Sequence, residues 1–287
     1  MNVELNLPFT YDFDRALERL SGTPVNSVDL HLRLARIPME EGNLVTVQAT
    51  GTSKEPDFII EGVKDEEQLA HIKWIFHFEE SLDGIAAHFA ETDLAPIFQE
   101  HIGTPLVRSF SLYGELMKSI IHQQLNLKFA NTLLMRFIEK FGSQQEGVWR
   151  YPSPERIAAV TVEELRELQF STRKAEYVIG LSQAIAAGTL DLESLRSKND
   201  EEVTAELIAY RGVGPWTAQG FLMFGLGRPN LFPTADIGLQ NALKNLWKLD
   251  RKPTQDEIRE RFSDWSPYLS YASLYLWRSI EVPACEK

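Results

Sequence analysis

The spacing of hydrophobic residues changes about one third of the way along the chain. Before that point, stretches such as VDLHLRLARI and NLVTVQATG alternate apolar and polar positions, which is the period of half-buried strands. Two stretches there, Asp12 to Leu20 and Glu66 to Phe78, have helical spacing instead. Beyond it, nearly all apolar residues recur at three and four positions, as on amphipathic helices. The pattern predicts an α+β N-terminal domain, residues 1–85, followed by an all-α domain, residues 86–287.

Helix start and stop signals occur in register with the apolar runs of the second part. Pro154 follows Ser153, as at the first position of a helix, and Thr172 opens an apolar run that stops at Gly188. Two capping boxes pair a threonine with a glutamate three residues later: Thr161 with Glu164, and Thr254 with Glu257. These signals predict compactly packed helices with short connections.

The composition is that of a globular chain. Its 287 residues are 44% hydrophobic, which is enough for a sizeable core and for two domains. The longest apolar runs are far shorter than the roughly 20 residues of a membrane span. We therefore expect no membrane partner and a cytoplasmic location, associated with the nucleoid in a bacterium. The single cysteine, Cys285, excludes an internal disulfide bond and a cysteine-ligated metal site.

The formal net charge of -12 is not spread evenly along the chain. Residues 1–100 contain 19 acidic and 7 basic side chains, whereas the remaining residues contain 22 of each. Between Ala205 and Pro253 the balance is positive, with six basic and three acidic side chains. A locally basic surface of this kind is compatible with a phosphate-bearing partner, even in an acidic chain.

The stretch AYRGVGPWTA places Gly-Val-Gly-Pro between two helical apolar runs and predicts a hairpin at about residues 205–225. Gly212 and Gly214 allow a sharp turn and a close approach to another surface. The helix that begins at Pro215 leaves backbone N–H groups without acceptors, which suits a phosphate oxygen. The spacing alone fits an ordinary corner between two helices equally well, so both interpretations stay open.

Several ordered motifs together resemble one family. LIAYRGVGPWTA, followed by LFPTADIGLQ with Asp236 twenty residues after Trp216, is similar to the helix-hairpin-helix plus Gly/Pro-Asp motif of the DNA glycosylase superfamily. The similarity is greatest to the DNA-3-methyladenine glycosylase II (AlkA) type, and extends through GELMKSIIHQQLNLKFANTLLMRFIEKFG, STRKAEYVIGLSQAIAAGTL and WSPYLSYASLYLW. It covers roughly residues 70–280. The N-terminal third resembles the extra α+β domain of that branch in size and class.

The resemblance implies a fold and an activity. The expected fold is an α+β N-terminal domain followed by an all-α helix-hairpin-helix glycosylase domain. The expected protein is a monofunctional DNA glycosylase of base excision repair that flips alkylated purines, such as 3-methyladenine and 7-methylguanine, out of the helix and hydrolyses the N-glycosidic bond. It needs no cofactor, acts as a monomer, and has double-stranded DNA with alkylated bases as its partner.

The resemblance assigns the catalytic role to Asp236. Breaking an N-glycosidic bond builds positive charge on the sugar, and a carboxylate near C1′ stabilises that state or orients a water. By local sequence alone, Asp236 is also a good N-cap for the helix that follows, and the two interpretations are compatible. Gly238, unusual so early in a helix, is expected to leave room near the base.

The hairpin carries Trp216 where lyase-competent branches have a lysine that forms a Schiff base. An indole has no amine, which predicts a monofunctional enzyme that uses water and leaves an abasic site. Neither Lys174 nor Lys244 falls at the matching position.

An aromatic receptacle is expected for the flipped base, because cationic purines are attracted to π faces. The resemblance places Trp277 there as the base-stacking residue, with Trp216 on the hairpin side and His122 and Gln123 facing the lesion. The tyrosines of WSPYLSYASLYLW form a helical stripe that is typical of core packing.

A wedge side chain is expected to fill the gap that a flipped base leaves in the stack. Leu125 matches the family's intercalating leucine. Gln124, beside it in the same polar interruption between two apolar helices, is expected to intercalate with it.

The family's hairpin contacts are carried over to backbone atoms. Gly212, Gly214, Thr217 and Ala218 are expected to contact the DNA backbone. The family's hairpin also binds a monovalent cation, Na⁺ or K⁺, which here would be held by the carbonyls of Ile208, Tyr210 and Gly212.

Two other functions remain open. A non-catalytic helix-hairpin-helix protein would bind DNA without turnover and be indifferent to Asp236. A bifunctional glycosylase/lyase would form a covalent complex that borohydride traps. The acidic N-terminal domain is expected to buttress the fold, without an assigned DNA contact.

Overall fold

The structure, a computed structural model, describes residues 1–39 and 42–281. Cys285, the single cysteine on which the exclusion of an internal disulfide bond rests, lies outside the described residues. The N-terminal part contains a five-stranded antiparallel sheet in the order β1-β5-β4-β3-β2. Its strands are β1 (Asn2–Asn6), β2 (Ser27–Asp29), β3 (Leu34–Pro38), β4 (Leu44–Ala49) and β5 (Asp57–Glu61).

The alternating pattern predicts the buried face of this sheet correctly. In β4 the buried residues are Val45, Val47 and Ala49, and the residues between them are half-buried. The stretch VDLHLRLARI is not one strand, because a turn that contains Arg33 at φ 52° separates β2 from β3.

Fifteen α-helices account for most of the remaining described chain. In the first half they are α1 (Phe13–Ser21), α2 (Glu66–Phe76), α3 (Leu82–His88), α4 (Ala95–Glu100), α5 (Leu112–His122), α6 (Leu127–Phe141), α7 (Pro154–Ala158) and α8 (Val162–Glu167). In the second half they are α9 (Thr172–Ala186), α10 (Asp200–Ile208), α11 (Pro215–Gly220), α12 (Ile237–Leu246), α13 (Gln255–Arg259), α14 (Phe262–Trp265) and α15 (Leu269–Arg278). A 3₁₀ turn, Ser194–Ser197, and a π-helical turn, Phe221–Gly225, complete the set. None of the described helices is long and apolar enough to cross a membrane.

The predicted helix caps are confirmed. Ser153 caps α7 with Pro154 at its first position, and the capping boxes at Thr161 and Thr254 are both formed. The helix that opens at Thr172 ends at Ala186, two residues before the predicted stop at Gly188.

The second part is mostly helical rather than all-α. A β-hairpin, β6 (Ser143–Gln145) and β7 (Val148–Arg150), interrupts it, with Glu146 and Gly147 both at positive φ in the two-residue turn. These strands are too short to show an alternating pattern. Arg150 of β7 donates to the Met39 and Asn43 carbonyls at 2.6 and 2.9 Å, so the hairpin is tied to the N-terminal sheet.

Two hydrophobic clusters form the core. The first joins the N-terminal sheet and α1 to α4 with α12 and α15 near the other end of the chain. The second lies within residues 112–226, with Val25 added from the N-terminal part. The π-helical turn lies where they meet, because Leu222 belongs to the second cluster and Met223 to the first. The domain boundary at residue 85 stays a prediction, since the first cluster extends on both sides of it.

Candidate active site

Asp236 lies at the start of α12 and is the N-cap of that helix. Its Oδ1 accepts a hydrogen bond from the Leu239 backbone N–H at 2.9 Å, which confirms the cap interpretation. The same oxygen accepts a second hydrogen bond from Trp277 Nε1, also at 2.9 Å. Within the described residues nothing donates to Oδ2. One oxygen therefore fixes the half-buried carboxylate, and the other is available to a ligand.

Gly238 explains why Trp277 can come so close to Asp236. A Cβ atom at position 238 would lie 3.0 Å from Asp236 Oδ1 and 3.4 Å from Trp277 Cδ1. The room that the sequence predicts at Gly238 is thus used by the edge of the Trp277 indole. The indole and the carboxylate form one unit across α12 and α15.

The aromatic surface beside Asp236 continues away from Trp277. The Phe224 ring, on the π-helical turn, has its centroid 6.1 Å from that of Trp277. The guanidinium Cζ of Arg19, on α1, lies 3.8 Å from the Phe224 centroid. All four residues are half-buried. This set, Asp236, Trp277, Phe224 and Arg19, is called the candidate pocket wall below.

Sequence reasoning missed two residues of the candidate pocket wall. Phe224 lies in the apolar run FLMFG, whose pattern predicts core packing. Arg19 lies in the N-terminal domain, to which the sequence assigns no DNA contact. A π-helical turn is a frequent mark of a functional site, but it leaves no signal in the sequence. The tyrosine stripe is core as predicted, because Tyr271 and Tyr275 are buried.

The hairpin lies between α10 and α11. Gly212 has φ 92°, and a Cβ there would lie 2.3 Å from the Tyr177 ring, so both its conformation and its close approach require glycine. Gly214, the N-cap of α11, has open space around a Cβ position and no side-chain cap. The predicted start of the helix at Pro215 is confirmed.

The start of α11 presents two backbone N–H groups. Trp216 and Thr217 lie in the first turn, where a helix has no internal acceptors for N–H groups. The N–H of Ala218 donates to the Gly214 carbonyl at 3.0 Å, and the Thr217 side chain is buried. Contacts with a phosphate at this turn are therefore open to the N–H groups of Trp216 and Thr217 rather than to that of Ala218.

Gln123 joins the α5–α6 loop to the hairpin. Its Nε2 donates to the Gly212 carbonyl at 2.8 Å and to Thr217 Oγ1 at 2.9 Å. Lys174 holds the same loop from the other side, donating to the carbonyls of Ile121 and Gln123. The sequence places Gln123 at the base, whereas the structure directs its amide to the hairpin.

The tip of the α5–α6 loop is Gln124. It is exposed and has φ 57°, while Leu125 is half-buried against the second cluster. Leu127, at the first position of α6, is 65% exposed. Of the two predicted wedge residues, Gln124 is the more exposed, and the wedge role of each stays a prediction.

His122 is held in its neutral form. Burial, together with the positive charges of Lys118 and Lys174, lowers the pKa of its imidazole to about 4. A neutral imidazole at physiological pH is a poor general acid, and the buried Nε2 of His122 has no hydrogen-bond partner among the described residues.

Comparison with known proteins identifies the family. A family described as HhH-GPD superfamily base excision DNA repair protein matches residues 117–267. The chain belongs to this superfamily. The resemblance inferred from the hairpin and the Asp236 motif is thereby confirmed.

Relatives extend the match over nearly the whole chain. A Bacillus subtilis (strain 168) protein named "Putative DNA-3-methyladenine glycosylase YfjP" is 54% identical over 276 residues, which are 94% of this chain and 96% of that protein. A second protein of that strain, named DNA-3-methyladenine glycosylase, is 37% identical over 66% of this chain and 68% of its own. The solved structure of a 3-methyladenine DNA glycosylase from Archaeoglobus fulgidus has a TM-score of 0.80 at 23% identity and covers 96% of this chain and 97% of that one, which shows a shared fold.

Trp216, which the resemblance places on the hairpin side of the base pocket, is 58% exposed. Its indole makes no ring contact with the rest of the described chain, so the structure does not join it to Trp277. Its role in a base pocket stays a prediction.

The hairpin cation stays a prediction as well. Of the three carbonyls expected to hold it, that of Tyr210 accepts from Val213 N–H at 3.1 Å and that of Gly212 accepts from Gln123. Each of these two carbonyl oxygens keeps one lone pair for a cation, and the Ile208 carbonyl would be the third ligand. Across residues 1–39 and 42–281, no group of three or more His, Cys, Asp or Glu side chains could hold a metal ion.

Proposed function

We propose that this protein is a monofunctional DNA glycosylase that removes alkylated purines, such as 3-methyladenine and 7-methylguanine, from duplex DNA. The observation that carries the proposal is the carboxylate of Asp236, fixed through Oδ1 by two donors and open at Oδ2, beside Trp277 and Phe224. The names of the relatives support the same reaction.

The reaction breaks the bond between sugar C1′ and the purine nitrogen. The electron pair of that bond goes to the base, so a cationic methylated purine leaves as a neutral molecule, and positive charge develops on the sugar. Asp236 Oδ2 stabilises that charge, and a water oxygen then bonds to C1′ while its proton passes to solvent. The indole face of Trp277 attracts the cationic base before it leaves.

Water is the nucleophile in this proposal. The hairpin has Trp216 in place of an amine, and the Lys174 amine is held by the carbonyls of Ile121 and Gln123. The product is an abasic site rather than a nicked strand. The same chemistry needs no cofactor, so excision is expected to persist after dialysis against a chelator.

DNA is held by the hairpin and the α5–α6 loop. A DNA phosphate is bound by the N–H groups of Trp216 and Thr217, beside Gly214, which has no side chain to block it. Gln124 enters the gap left by the flipped base. Phosphate contacts position the duplex without reading its sequence, so sequences around the lesion should matter little. We propose that the protein acts as a monomer on this substrate.

The experiment that tests the proposal compares Asp236→Asn with the wild type on methylated duplex DNA. Released bases are separated by chromatography, and half of each reaction receives borohydride. We expect the wild type to release methylpurines without a trapped complex, and Asp236→Asn to be slower by about 100- to 1,000-fold while still binding DNA. Asp250→Asn, a change at an exposed acid of the same basic region, is the matched control and should be as active as the wild type.

Each other outcome indicates a different function for the protein or a different role for Asp236. Binding without released base in either protein would indicate a non-catalytic helix-hairpin-helix protein. A borohydride-trapped complex would indicate a bifunctional lyase. Full activity of Asp236→Asn would reduce Asp236 to a helix cap.

A further inference from the structure

Arg19 brings a guanidinium from the N-terminal part of the chain to the candidate pocket wall. Its Cζ lies 3.8 Å from the centroid of Phe224, and Phe224 is next to Trp277, which donates to Asp236. The first hydrophobic cluster makes this possible, because it packs α1 into the same core as α12 and α15.

In contrast to its neighbour on α1, Arg19 forms no ion pair with a described residue, and Glu115 and Glu281 act on its guanidinium only as more distant negative charges. Arg15, one turn earlier, forms ion pairs with Asp12 and Glu18. Nothing in the described part of the chain accepts a hydrogen bond from the Arg19 side chain. Burial lowers the pKa of Arg19, yet an arginine keeps its proton in proteins. A half-buried guanidinium beside an aromatic ring, whose donors have no acceptor among the described residues, is suited to a ligand that supplies acceptors.

We propose that Arg19 is a specificity-determining residue that donates hydrogen bonds to O6 and N7 of a flipped 6-oxopurine, above all the neutral base hypoxanthine; this inference rests on the proposed glycosylase function. The fork of an arginine matches the two acceptors O6 and N7, as it does on guanine in a DNA groove. 3-Methyladenine has an amino group in place of O6 and carries a positive charge in DNA. The Arg19 donors would therefore face another donor, and the Arg19 charge would repel the cationic base.

A neutral purine also gains more from Arg19 as it leaves. When the C1′–N9 bond breaks, the electron pair moves onto hypoxanthine, which acquires negative charge, whereas a cationic methylated base becomes neutral. The water oxygen forms the new bond to C1′, and its proton goes to the departing base or to solvent. A guanidinium at O6 and N7 stabilises the negative charge of the transition state. Arg19 should therefore accelerate the removal of hypoxanthine selectively.

The test measures single-turnover release of base from two duplexes of the same sequence, one containing hypoxanthine and one treated with a methylating agent. Arg19→Met is expected to slow hypoxanthine release roughly 10- to 100-fold and to leave 3-methyladenine release unchanged or faster. Arg15→Met removes an ion-paired arginine from the same helix and should match the wild type on both duplexes. Arg19→Lys, which keeps the charge but not the fork, should restore part of the hypoxanthine rate. It also provides a readout if Arg19→Met lowers the thermal unfolding temperature.

Equal slowing on both duplexes by Arg19→Met and Arg19→Lys would overturn the inference, as would unchanged rates. Weaker binding of undamaged duplex by both variants would assign Arg19 to a DNA phosphate instead. A wild type that releases methylpurines but no hypoxanthine contradicts this inference and leaves the proposed function intact. A wild type that releases no base from either duplex overturns both.

Discussion

The candidate pocket wall and the hairpin are built in different ways on different cores. Asp236 is fixed by a side-chain hydrogen bond from Trp277, 41 residues further along the chain, and Trp277 packs against the first hydrophobic cluster. The hairpin is fixed by backbone conformation, with Gly212 against Tyr177 and bonded to Gln123, beside the second cluster. The comparison implies that bond cleavage and DNA binding are separable. A substitution in the hairpin should change the affinity for DNA, and one in the candidate pocket wall should change the rate of base release.

The largest effect is expected at the hairpin, from Gly212→Ala. The new Cβ would overlap the Tyr177 ring, and alanine is strained at φ 92°, so the hairpin should lose about 2 to 5 kcal/mol of stability. Affinity for damaged and undamaged duplexes should fall alike, as fluorescence anisotropy would show. The rate of base release at saturating enzyme should change far less.

Gly214→Ala is the matched control for that change. Its Cβ meets nothing within 4 Å and its φ of -101° suits any residue, so thermal stability should stay near that of the wild type. Normal DNA binding by Gly212→Ala together with slow base release would show that DNA binding and bond cleavage are not separable in the way that the two cores suggest.

Trp277→Phe should produce a smaller effect of the opposite kind. Phenylalanine keeps an aromatic ring beside Phe224 but cannot donate to Asp236 Oδ1, so the carboxylate loses one of its two fixed contacts. A hydrogen bond to a charged group of this type corresponds to about a 10-fold slower single-turnover release of base. Affinity for undamaged duplex should be unchanged.

The control for Trp277→Phe is Trp247→Phe. Trp247 Nε1 donates to Asp93 at 2.6 Å, so the same kind of bond is lost against the same cluster but away from Asp236. It should lower thermal stability without slowing release. Equal slowing by both substitutions would mean that Trp277 acts only through the stability of the core.

The hairpin was predictable because its determinants are local. A glycine at 212 indicates a positive φ, a glycine at 214 indicates a helix start without a side-chain cap, and Pro215 indicates a first helical position. None of these indications depends on the rest of the chain. The capping boxes and the buried face of β4 follow from short-range rules in the same way. The β6–β7 hairpin was missed since three-residue strands are too short to show a period.

The candidate pocket wall was predictable only in part. Asp236 and Trp277 were found through the family resemblance, but their hydrogen bond depends on how α12 packs against α15. Arg19 and Phe224 come together through contacts between residues about 200 positions apart, for which no spacing rule exists. Gln123 shows the same limit, because its sequence neighbourhood does not tell which way its amide points.

The smallest effect is expected at His122, the last residue of α5, which precedes the Gln123 that bonds to the hairpin. Its pKa of about 4 in the folded protein lies below the ordinary value of 6.5, so between these values the unfolded chain binds more protons than the folded one. Stability should therefore fall as the pH decreases from 6.5 towards 4, and His122→Gln should lose less stability than the wild type over that range.

The difference for His122→Gln should be small, about 2 to 4 °C in the thermal unfolding temperature at pH 5, because His122 is only half-buried. His101, whose pKa is also lowered by burial, acts in the same direction and remains in the variant. Since His122 is already neutral, the pH dependence of base release between pH 5.5 and 8 should be the same in both proteins. A variant that loses an ionisation near pH 6 from its rate profile would make His122 a proton donor, and the grip on DNA and the cleavage of the base would then share a residue.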